Sequence, residues 1–303
     1  MSAQSQVVSF QGVWIPLVTP FRDGALDLGA VRRLVRHYAA QGVSGFVVCG
    51  STGEASALEE DEQLLALDAA LEAAGAVPVI MGLSGASQPR LLRRLAELRS
   101  RPLAGVLSAA PAYVRPGQAG AAAHFRALAD AAHVPLVLYD IPYRTGTQLD
   151  TATLLELAAH PNIVAIKDCG GSLDKTQALI AHGGLQVLAG EDLQGFGTVA
   201  LGGTGIIAAS AHVRADLFVA MFQALQAQQL QVARRLCHAL APVIRLLYAE
   251  PNPAPLKALL ARQGWLRDEV RPPMMRAATG LALQLEAAAA ELDRLYPPAD
   301  SSA

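Results

Sequence analysis

The sequence predicts a (β/α)8 TIM barrel followed by a smaller, purely helical C-terminal region. Up to about residue 210, short apolar runs alternate with segments whose apolar residues recur every three or four positions, as in amphipathic helices. The runs are continuously apolar, which is typical of parallel strands that are covered on both faces. Eight such units, spaced by roughly 25 to 30 residues, match the length of this barrel class. From about residue 225 the pattern is helical only.

Eight predicted strands follow one another along the first two-thirds of the chain. They are VWIPLVT (13–19), GFVVCG (45–50), VPVIMG (77–82), AGVLSA (104–109), PLVLYD (135–140), NIVAIK (162–167), LQVLAG (185–190) and GTGIIA (203–208). Between them, residues 28–42 and 88–100 have clear helical periodicity. A doubly wound open sheet would alternate in the same way, but the sequence lacks the usual glycine-rich dinucleotide fingerprint. The barrel is therefore preferred.

The C-terminal part is rich in alanine and is interrupted at EPNPAP (250–255) and RPP (271–273). Prolines at these points end helices, because proline has no backbone N–H to donate. We therefore expect a barrel domain that carries the active site at residues 1–224 and a helical region at residues 225–303, with a frayed tail.

Composition excludes several classes of protein. With 303 residues, 52% hydrophobic and 17% charged, the chain can bury a large core. A net charge of -2 gives no electrostatic footprint for nucleic acid, and no apolar run is long enough to cross a membrane. The three widely spaced cysteines and the absence of a signal peptide pattern predict a cytoplasmic protein with reduced thiols. The dispersed histidines predict no metal site.

The active sites of such barrels lie at the carboxyl ends of the strands, so the residues at those ends are the candidates. Polar groups follow four of the predicted strands, and small residues follow the last two. In strand order the segments are GSTGE (50–54), PAYVRPG (111–117), YDIPYRTG (139–146), Lys167, AGED (189–192) and GIIAAS (205–210).

Lys167 is the strongest candidate, since the chain contains only three lysines among its 24 basic residues. A lysine at a strand end more often reaches solvent, here paired with Asp168. The scarcity of lysine and the tyrosines and hydroxyls at the same rim favour a nucleophile instead. An amine held against apolar walls loses its proton more readily and can attack a carbonyl to form a Schiff base. Lys175, at a solvated helix start, and Lys257, after a proline break, are expected to lack such surroundings.

Two tyrosines accompany this lysine. Tyr139 ends its strand as Lys167 does, so it is either a core tyrosine with a satisfied hydroxyl or a carrier of protons to a carbinolamine. Tyr113 lies between Pro111 and Pro116, where a large ring more often packs on a neighbour or on a partner subunit.

Hydroxyls and an arginine complete the set. Glycines on both sides of Ser51 and Thr52 allow a tight turn before a predicted helix, whose N–H groups attract a carboxylate; an ordinary helix cap has the same pattern. Arg144 is either a surface arginine or a residue that binds a carboxylate through two hydrogen bonds.

These motifs together resemble the N-acetylneuraminate lyase/dihydrodipicolinate synthase family of class I aldolases. The resemblance extends over nearly the whole chain, through an ordered series: VWIPLVTPF (13–21), GSTGE, PAYVRP, YDIPYRTG, NIVAIKDCGG (162–171), GGTGII (202–207) and EPNPAPLK (250–257). It implies a TIM barrel with a helical C-terminal region, commonly a homotetramer built from tight dimers. It also implies that no metal or organic cofactor is needed, because the Schiff base formed on the lysine serves as the electron sink.

The resemblance assigns roles to the candidate catalytic residues. Lys167 would form the Schiff base with pyruvate or another 2-keto acid, and Tyr139 would transfer protons. Ser51 would relay protons between Tyr139 and Tyr113, which the synthases supply across the tight dimer into the neighbouring site.

The same resemblance assigns the binding residues. Ser51 and Thr52 would bind the carboxylate of the keto acid, and the backbone carbonyl of Ile207 would face the reacting centre. Arg144 would bind the carboxylate of aspartate semialdehyde at the entrance.

Three functions stay open at this point. Arg144 with the Thr-Gly that follows it favours condensation of pyruvate with aspartate semialdehyde to 4-hydroxy-tetrahydrodipicolinate, a step of lysine and diaminopimelate biosynthesis. The alternative is an aldolase or dehydratase for a sugar-derived 2-keto-3-deoxy acid. A non-catalytic keto-acid sensor is less favoured, because a binder would not need both Lys167 and Tyr139.

The sequence departs from the commonest synthase pattern at several positions, and these departures leave the second substrate in doubt. They are Ser51 for threonine, Ala112 for the first of two tyrosines, Asp140 for asparagine and Cys169-Gly170 for Ala-Thr.

Members of the family that are inhibited by lysine line a pocket at the dimer interface with two histidines, an asparagine and a tyrosine. Those places hold Glu60, Gln63, Ala86 and Ala112 here. We therefore expect weak or no inhibition by lysine.

Overall fold

A computed structural model describes residues 9–298 of the chain. Its strands, in chain order, are β1 (Gly12–Pro16), β2 (Phe21–Arg22), β3 (Ala25–Leu26), β4 (Gly45–Val48), β5 (Val79–Gly82), β6 (Gly105–Ala109), β7 (Leu136–Asp140), β8 (Ile163–Asp168), β9 (Gln186–Ala189) and β10 (Gly205–Ile207). All except β2 and β3 form a closed barrel of eight parallel strands in the order β1-β10-β9-β8-β7-β6-β5-β4. The predicted fold class is confirmed, and each barrel strand overlaps one predicted run.

Helices cover the outside of the barrel. They are α1 (Leu28–Ala40), α2 (Glu60–Ala74), α3 (Gln88–Glu97), α4 (Gln118–Ala131), α5 (Pro142–Thr145), α6 (Thr151–Ala158), α7 (Leu173–His182), α8 (Gly195–Ala200) and α9 (Ala215–Gln226). The C-terminal region adds α10 (Leu230–Leu247), α11 (Ala254–Arg262) and α12 (Thr279–Leu295). No helix among residues 9–298 is both long and apolar enough to cross a membrane.

The continuous apolar runs have a simple cause, which is that each strand is buried on both faces. Alternate residues along a strand point to opposite sides of the sheet. Side chains such as Trp14, Val47 and Val137 fill the barrel interior, whereas neighbours such as Phe46 and Leu138 pack beneath the helices. No position on these strands has to be polar for solvent, so the polar residues at the strand ends stand out.

The packing of Trp14 in the barrel interior requires glycine at position 45. A Cβ atom on Gly45 would lie 2.2 Å from the ring of Trp14, which is fully buried. Glycine at this position of β4 therefore lets the indole of the paired strand β1 fill the interior.

The C-terminal helices pack on the barrel and on each other. Helix α10 lies against α9, and α12 lies against α10 and α11. The predicted break at 250–255 falls between α10 and α11, although α11 already begins at Ala254 with Pro255 in its first turn, a favourable place for proline. The predicted boundary after residue 224 falls in the last turn of α9, and the division into two domains stays a prediction.

One element was missed by the sequence analysis. Asp23 and Gly24, both with positive φ (54° and 81°), turn the chain between the two-residue strands β2 and β3. An Asp-Gly pair is a strong signal for a tight hairpin turn. The strands are too short to show any periodicity, so the pair was the only signal.

Candidate active site

A cavity of about 360 Å³ opens at the carboxyl ends of the barrel strands. It brings together five of the seven residues that the sequence suggested for the site. Its lining consists of Ser51, Thr52, Tyr139, Tyr143, Arg144, Lys167, Gly190, Ala209, Tyr248, Ala249, Glu250, Pro251 and Asn252.

Lys167 and Tyr139 lie side by side because β7 and β8 place them in register. The Lys167 Nζ atom is 4.5 Å from the centre of the Tyr139 ring. Both side chains are buried, with 6% and 7% of their surface exposed. Burial raises the pKa of the Tyr139 phenol well above its ordinary value, and the Ser51 hydroxyl and Arg144 oppose that rise. The phenol is therefore protonated at neutral pH and can donate a proton.

Lys167 is not paired with Asp168, the alternative that the sequence left open. Asp168 points to the opposite face of β8, where its carboxylate accepts hydrogen bonds from the Thr176 hydroxyl (2.6 Å) and the Gly170 N–H (2.9 Å). Within residues 9–298, the salt bridges of lysine involve Lys175 and Lys257, and no carboxylate oxygen lies within 4.0 Å of the Lys167 Nζ atom. An amine in this position can act as a nucleophile once it is deprotonated.

The GSTGE motif forms a strained turn that leads into a 3-10 helix of one turn at Ala55–Ala57. Cys49, which precedes the motif, and Glu54, its last residue, have left-handed φ angles of 55° and 53°, which non-glycine residues rarely adopt. Helix α2 begins only at Glu60, where Glu59 and Glu62 form a reciprocal capping box. The motif is thus followed by one 3-10 turn and not by α2, and the expectation that its N–H groups attract a carboxylate stays a prediction.

The two hydroxyls of this turn nevertheless face the cavity. Ser51 lines the cavity together with Tyr139 and lowers the pKa of its phenol, which opposes the effect of burial. The Thr52 Oγ1 atom accepts a hydrogen bond of 2.9 Å from the Asn252 side chain. Asn252 was not predicted, because the EPNPAP segment was interpreted as a helix break and as part of the family resemblance, with no role at the site.

Arg144 lies on the short helix α5, exposed at the mouth of the cavity. It also lines an outer pocket together with Tyr113 and Tyr143. A guanidinium at this place can bind a carboxylate that enters from solvent.

Two predicted residues do not line the cavity. Tyr113 is 97% exposed on its loop, so a single chain does not bring it to Lys167. Ile207 ends β10 inside the barrel and packs in the same interior cluster as Tyr139. Their predicted roles stay predictions.

A buried acid beside the site was also missed. The Asp192 Oδ2 atom accepts hydrogen bonds from the Ser210 N–H (2.7 Å) and from the Tyr248 hydroxyl (3.0 Å). Burial raises the pKa of Asp192, and the hydrogen bonds from Ser210 oppose that rise. Tyr248, which binds this acid, directly follows helix α10 of the C-terminal region. A search restricted to strand ends could therefore not find Tyr248.

The other two lysines lie at the helix start and after the proline break, as expected, but both are buried. Lys175 does lie in the first turn of α7, but it is only 5% exposed, and Lys257 is fully buried. Lys175 pairs with Asp140, on the outer face of β7, and Lys257 pairs with Glu54. Each of these lysines thus has a carboxylate partner that stabilises its charged form. The amphipathic pattern of the helices gave no sign of these partners.

Comparisons with known proteins agree with this geometry. The sequence model of the dihydrodipicolinate synthetase family matches residues 9–292. The chain belongs to this family. A relative from Limosilactobacillus fermentum, a 4-hydroxy-tetrahydrodipicolinate synthase, is 40% identical over 291 residues, which are 91% of this chain and 93% of the relative.

Solved structures show the same architecture. The dihydrodipicolinate synthase of Acinetobacter baumannii, solved in complex with pyruvate, is 30% identical, with a TM-score of 0.91 over 94% of this chain and 99% of that one. The enzyme of Cyanidioschyzon merolae, solved with lysine bound, is 30% identical, with a TM-score of 0.90 over 93% and 99%. These likenesses favour the synthase over the sugar-acid aldolase that the sequence left open.

Proposed function

We propose that the chain is a 4-hydroxy-tetrahydrodipicolinate synthase, which condenses pyruvate with aspartate semialdehyde through a Schiff base on Lys167. The observation that carries this proposal is a buried lysine without a carboxylate partner beside a protonated tyrosine, in one cavity with Arg144. The names of the relatives support the same activity.

The chemistry follows from the neighbours of Lys167. The neutral amine attacks the keto carbon of pyruvate, and the carbinolamine loses its hydroxyl as water after Tyr139 supplies a proton. Loss of a proton from the methyl group turns the imine into an enamine. The enamine carbon then attacks the carbonyl carbon of the aldehyde, the new carbon–carbon bond replaces the carbonyl π bond, and the alkoxide takes up a proton. The amino group of the semialdehyde then attacks the imine carbon, which closes the ring and releases the Lys167 amine.

The two substrates need two carboxylate sites at different depths. Ser51 and Thr52 present hydroxyls inside the cavity, beside Tyr139, and suit the carboxylate of pyruvate. Arg144 at the mouth suits the carboxylate of the semialdehyde, because guanidinium binds a carboxylate bidentately.

Product analysis tests this proposal. The protein is incubated with pyruvate and aspartate semialdehyde, and in parallel with a 2-keto-3-deoxy sugar acid, and the products are identified by mass. We expect condensation with the semialdehyde and no cleavage of the sugar acid. Cleavage of the sugar acid without condensation would establish the aldolase instead.

We further propose a homotetramer of tight dimers in which Tyr113 completes the site of the neighbouring subunit. Its 97% exposure in the single chain supports this assignment. Mixing Tyr113→Phe chains with Lys167→Ala chains should restore activity in hybrid dimers that contain one intact site. Hybrids that are as inactive as both parents, with mixing shown by native mass, would contradict a shared site.

A cytoplasmic location is part of the same proposal. All three cysteines, Cys49, Cys169 and Cys237, are free thiols, which suits a reducing compartment.

A further inference from the structure

Two buried carboxylates lie directly behind the two central residues of the site. Side chains alternate along a strand, so Tyr139 and Lys167 face the barrel interior, whereas Asp140 and Asp168 face the helix layer. The register of β7 and β8 pairs Tyr139 with Lys167 and Asp140 with Asp168. Each site residue is thus followed in its strand by one of the two acids.

One ammonium group bridges these acids. Lys175, in the first turn of α7, donates a hydrogen bond to the Asp140 Oδ2 atom, and its Nζ atom lies 3.7 Å from the Asp168 Oδ1 atom. The exposed fractions are 5% for Lys175, 1% for Asp140 and 5% for Asp168. Such a buried contact keeps one geometry, because any movement that separated the partners would leave an uncompensated charge out of water.

The surroundings fix the bridge from both sides. The Asp140 Oδ1 atom accepts from the Leu149 N–H (3.3 Å), and the Asp168 Oδ2 atom accepts from the Thr176 hydroxyl (2.6 Å). A Cβ atom on Gly170 would lie 1.9 Å from the Lys175 Nζ atom and 2.6 Å from the Asp140 Oδ2 atom. The space that a side chain at position 170 would fill is occupied by the ammonium.

We propose that Lys175 is a positioning residue that ties the carboxyl ends of β7 and β8 together through Asp140 and Asp168 and thereby sets the separation of the Tyr139 phenol and the Lys167 amine. The proposal rests on the proposed function, because that separation governs proton transfer in Schiff-base formation. Lys167 has no carboxylate of its own in the described structure, so its position depends on the backbone that carries it.

The expected effect is kinetic. A displacement of about 1 Å between reacting groups can lower a rate by roughly 100-fold. Pyruvate would still bind to Ser51 and Thr52, which lie on another strand end. Loss of the bridge should therefore lower kcat and the rate of imine formation while changing the KM for pyruvate little.

Three variants test the proposal. Lys175→Met removes the charge and keeps the length of the side chain. Gly170→Ala changes no charge, but its Cβ atom displaces the flexible end of Lys175 from Asp140. Arg214→Met is the matched control, because it removes another buried, paired cation, bound to Asp216 and Asp293 at the start of α9.

Each variant is tested for the rate at which pyruvate and borohydride add to Lys167, for kcat and KM with both substrates, and for Tm. We expect Lys175→Met to lower the trapping rate and kcat by roughly 10- to 100-fold, and Gly170→Ala by a smaller factor, with the KM for pyruvate within about threefold of wild type. Arg214→Met should lower Tm and leave the trapping rate of the folded protein unchanged.

The proposal is overturned if folded Lys175→Met and Gly170→Ala trap pyruvate at the wild-type rate, or if only Tm or only KM changes. If Lys175→Met does not fold, Gly170→Ala decides by the same measurements. Failure of the wild-type protein to trap pyruvate would overturn the proposed function and this inference together. Normal trapping by wild type and both variants would overturn the inference alone.

Discussion

Lys167 at the strand ends and Lys257 at the junction with the C-terminal helices occupy similar surroundings and have different partners. Both are buried, and both place the ammonium over an aromatic ring: Lys167 Nζ is 4.5 Å from the centre of Tyr139, and Lys257 Nζ is 4.2 Å from the centre of Phe21. Lys257 also lies 2.5 Å from a Glu54 carboxylate oxygen. Among the described residues, Lys167 has no such partner.

The difference indicates that the partner, and not burial, distinguishes a structural lysine from the lysine that we propose to be reactive. Burial lowers the pKa of Lys257, and the neighbouring Glu54 carboxylate opposes that change. The pair ties α11 to the strained turn that carries Ser51 and Thr52. Lys167 faces a phenol and an open cavity, so its amine is free to attack a carbonyl.

The largest expected effect comes from replacing Lys167. Lys167→Arg keeps a cation but removes the nucleophile, because guanidinium stays protonated. We expect no pyruvate adduct after borohydride treatment and a fall in kcat of roughly 1,000-fold or more. Peptide mass mapping of wild type should place one adduct per chain on Lys167. An adduct on Lys175 or Lys257 would contradict the comparison between the two environments.

The same comparison explains what the sequence could and could not predict. The small number of lysines drew attention to Lys167. All three lysines are buried, however, so their small number does not by itself distinguish Lys167 from Lys175 and Lys257. The strand-end rule separated Lys167 from the other two, because β8 delivers it to the cavity and the other lysines lie on helices. Their partners, Asp140 and Glu54, are distant in sequence by 35 and 203 residues, and no local pattern reports such pairs.

The barrel was predictable for a related reason. Strands buried on both faces must be continuously apolar, so eight runs and their spacing were sufficient to define the architecture. Residues that reach the cavity from the C-terminal region, such as Tyr248 and Asn252, were not predictable in this way. Their contacts with Asp192 and Thr52 join parts of the chain that only the folded structure brings together.

The next largest effect is expected at the junction. Lys257→Met leaves Glu54 buried without its cation, and breaking such a pair typically costs about 3 to 5 kcal/mol in the free energy of unfolding. Glu54→Gln should cost a similar amount, and the double variant less than the sum, as urea unfolding would measure. Pyruvate trapping by the folded Lys257→Met protein should persist. Strictly additive losses would show that the two side chains do not interact.

A somewhat smaller effect is expected from Arg144→Ala, and it separates the two half-reactions. Arg144 is exposed at the mouth, so losing its charge-assisted hydrogen bonds should cost about 1.5 to 3 kcal/mol, which is a fall of roughly 10- to 150-fold in kcat/KM for aspartate semialdehyde. Trapping of pyruvate on Lys167 should change little, because the proposed pyruvate site lies deeper, at Ser51 and Thr52. Equal losses in trapping and in condensation would show that Arg144 acts on the pyruvate half as well.

The smallest expected effect is that of added free lysine on the rate. It depends, as for Lys167 and Lys257, on whether the charged groups concerned already have partners in the chain. Of the four positions that correspond to the family's lysine pocket, Ala86 and Ala112 carry only methyl groups. The Glu60 carboxylate, which could attract an ammonium, is already paired with Arg90, and Arg90 lowers the pKa of Glu60 through that hydrogen bond. Gln63 donates its side-chain N–H to the Ala55 carbonyl (3.0 Å).

Each polar group of this set therefore has a partner in the chain, as Glu54 has at the junction, and lysine would have to displace it. We expect no more than half-inhibition at about 1 mM lysine, a concentration that corresponds to binding of about 4 kcal/mol. Steady-state rates at saturating pyruvate and semialdehyde, with added arginine as the control for ionic strength, measure this directly. Inhibition at micromolar lysine would show that Glu60 gives up Arg90 for the effector. Arg90→Ala would then be expected to strengthen the inhibition further, because it removes the competing cation.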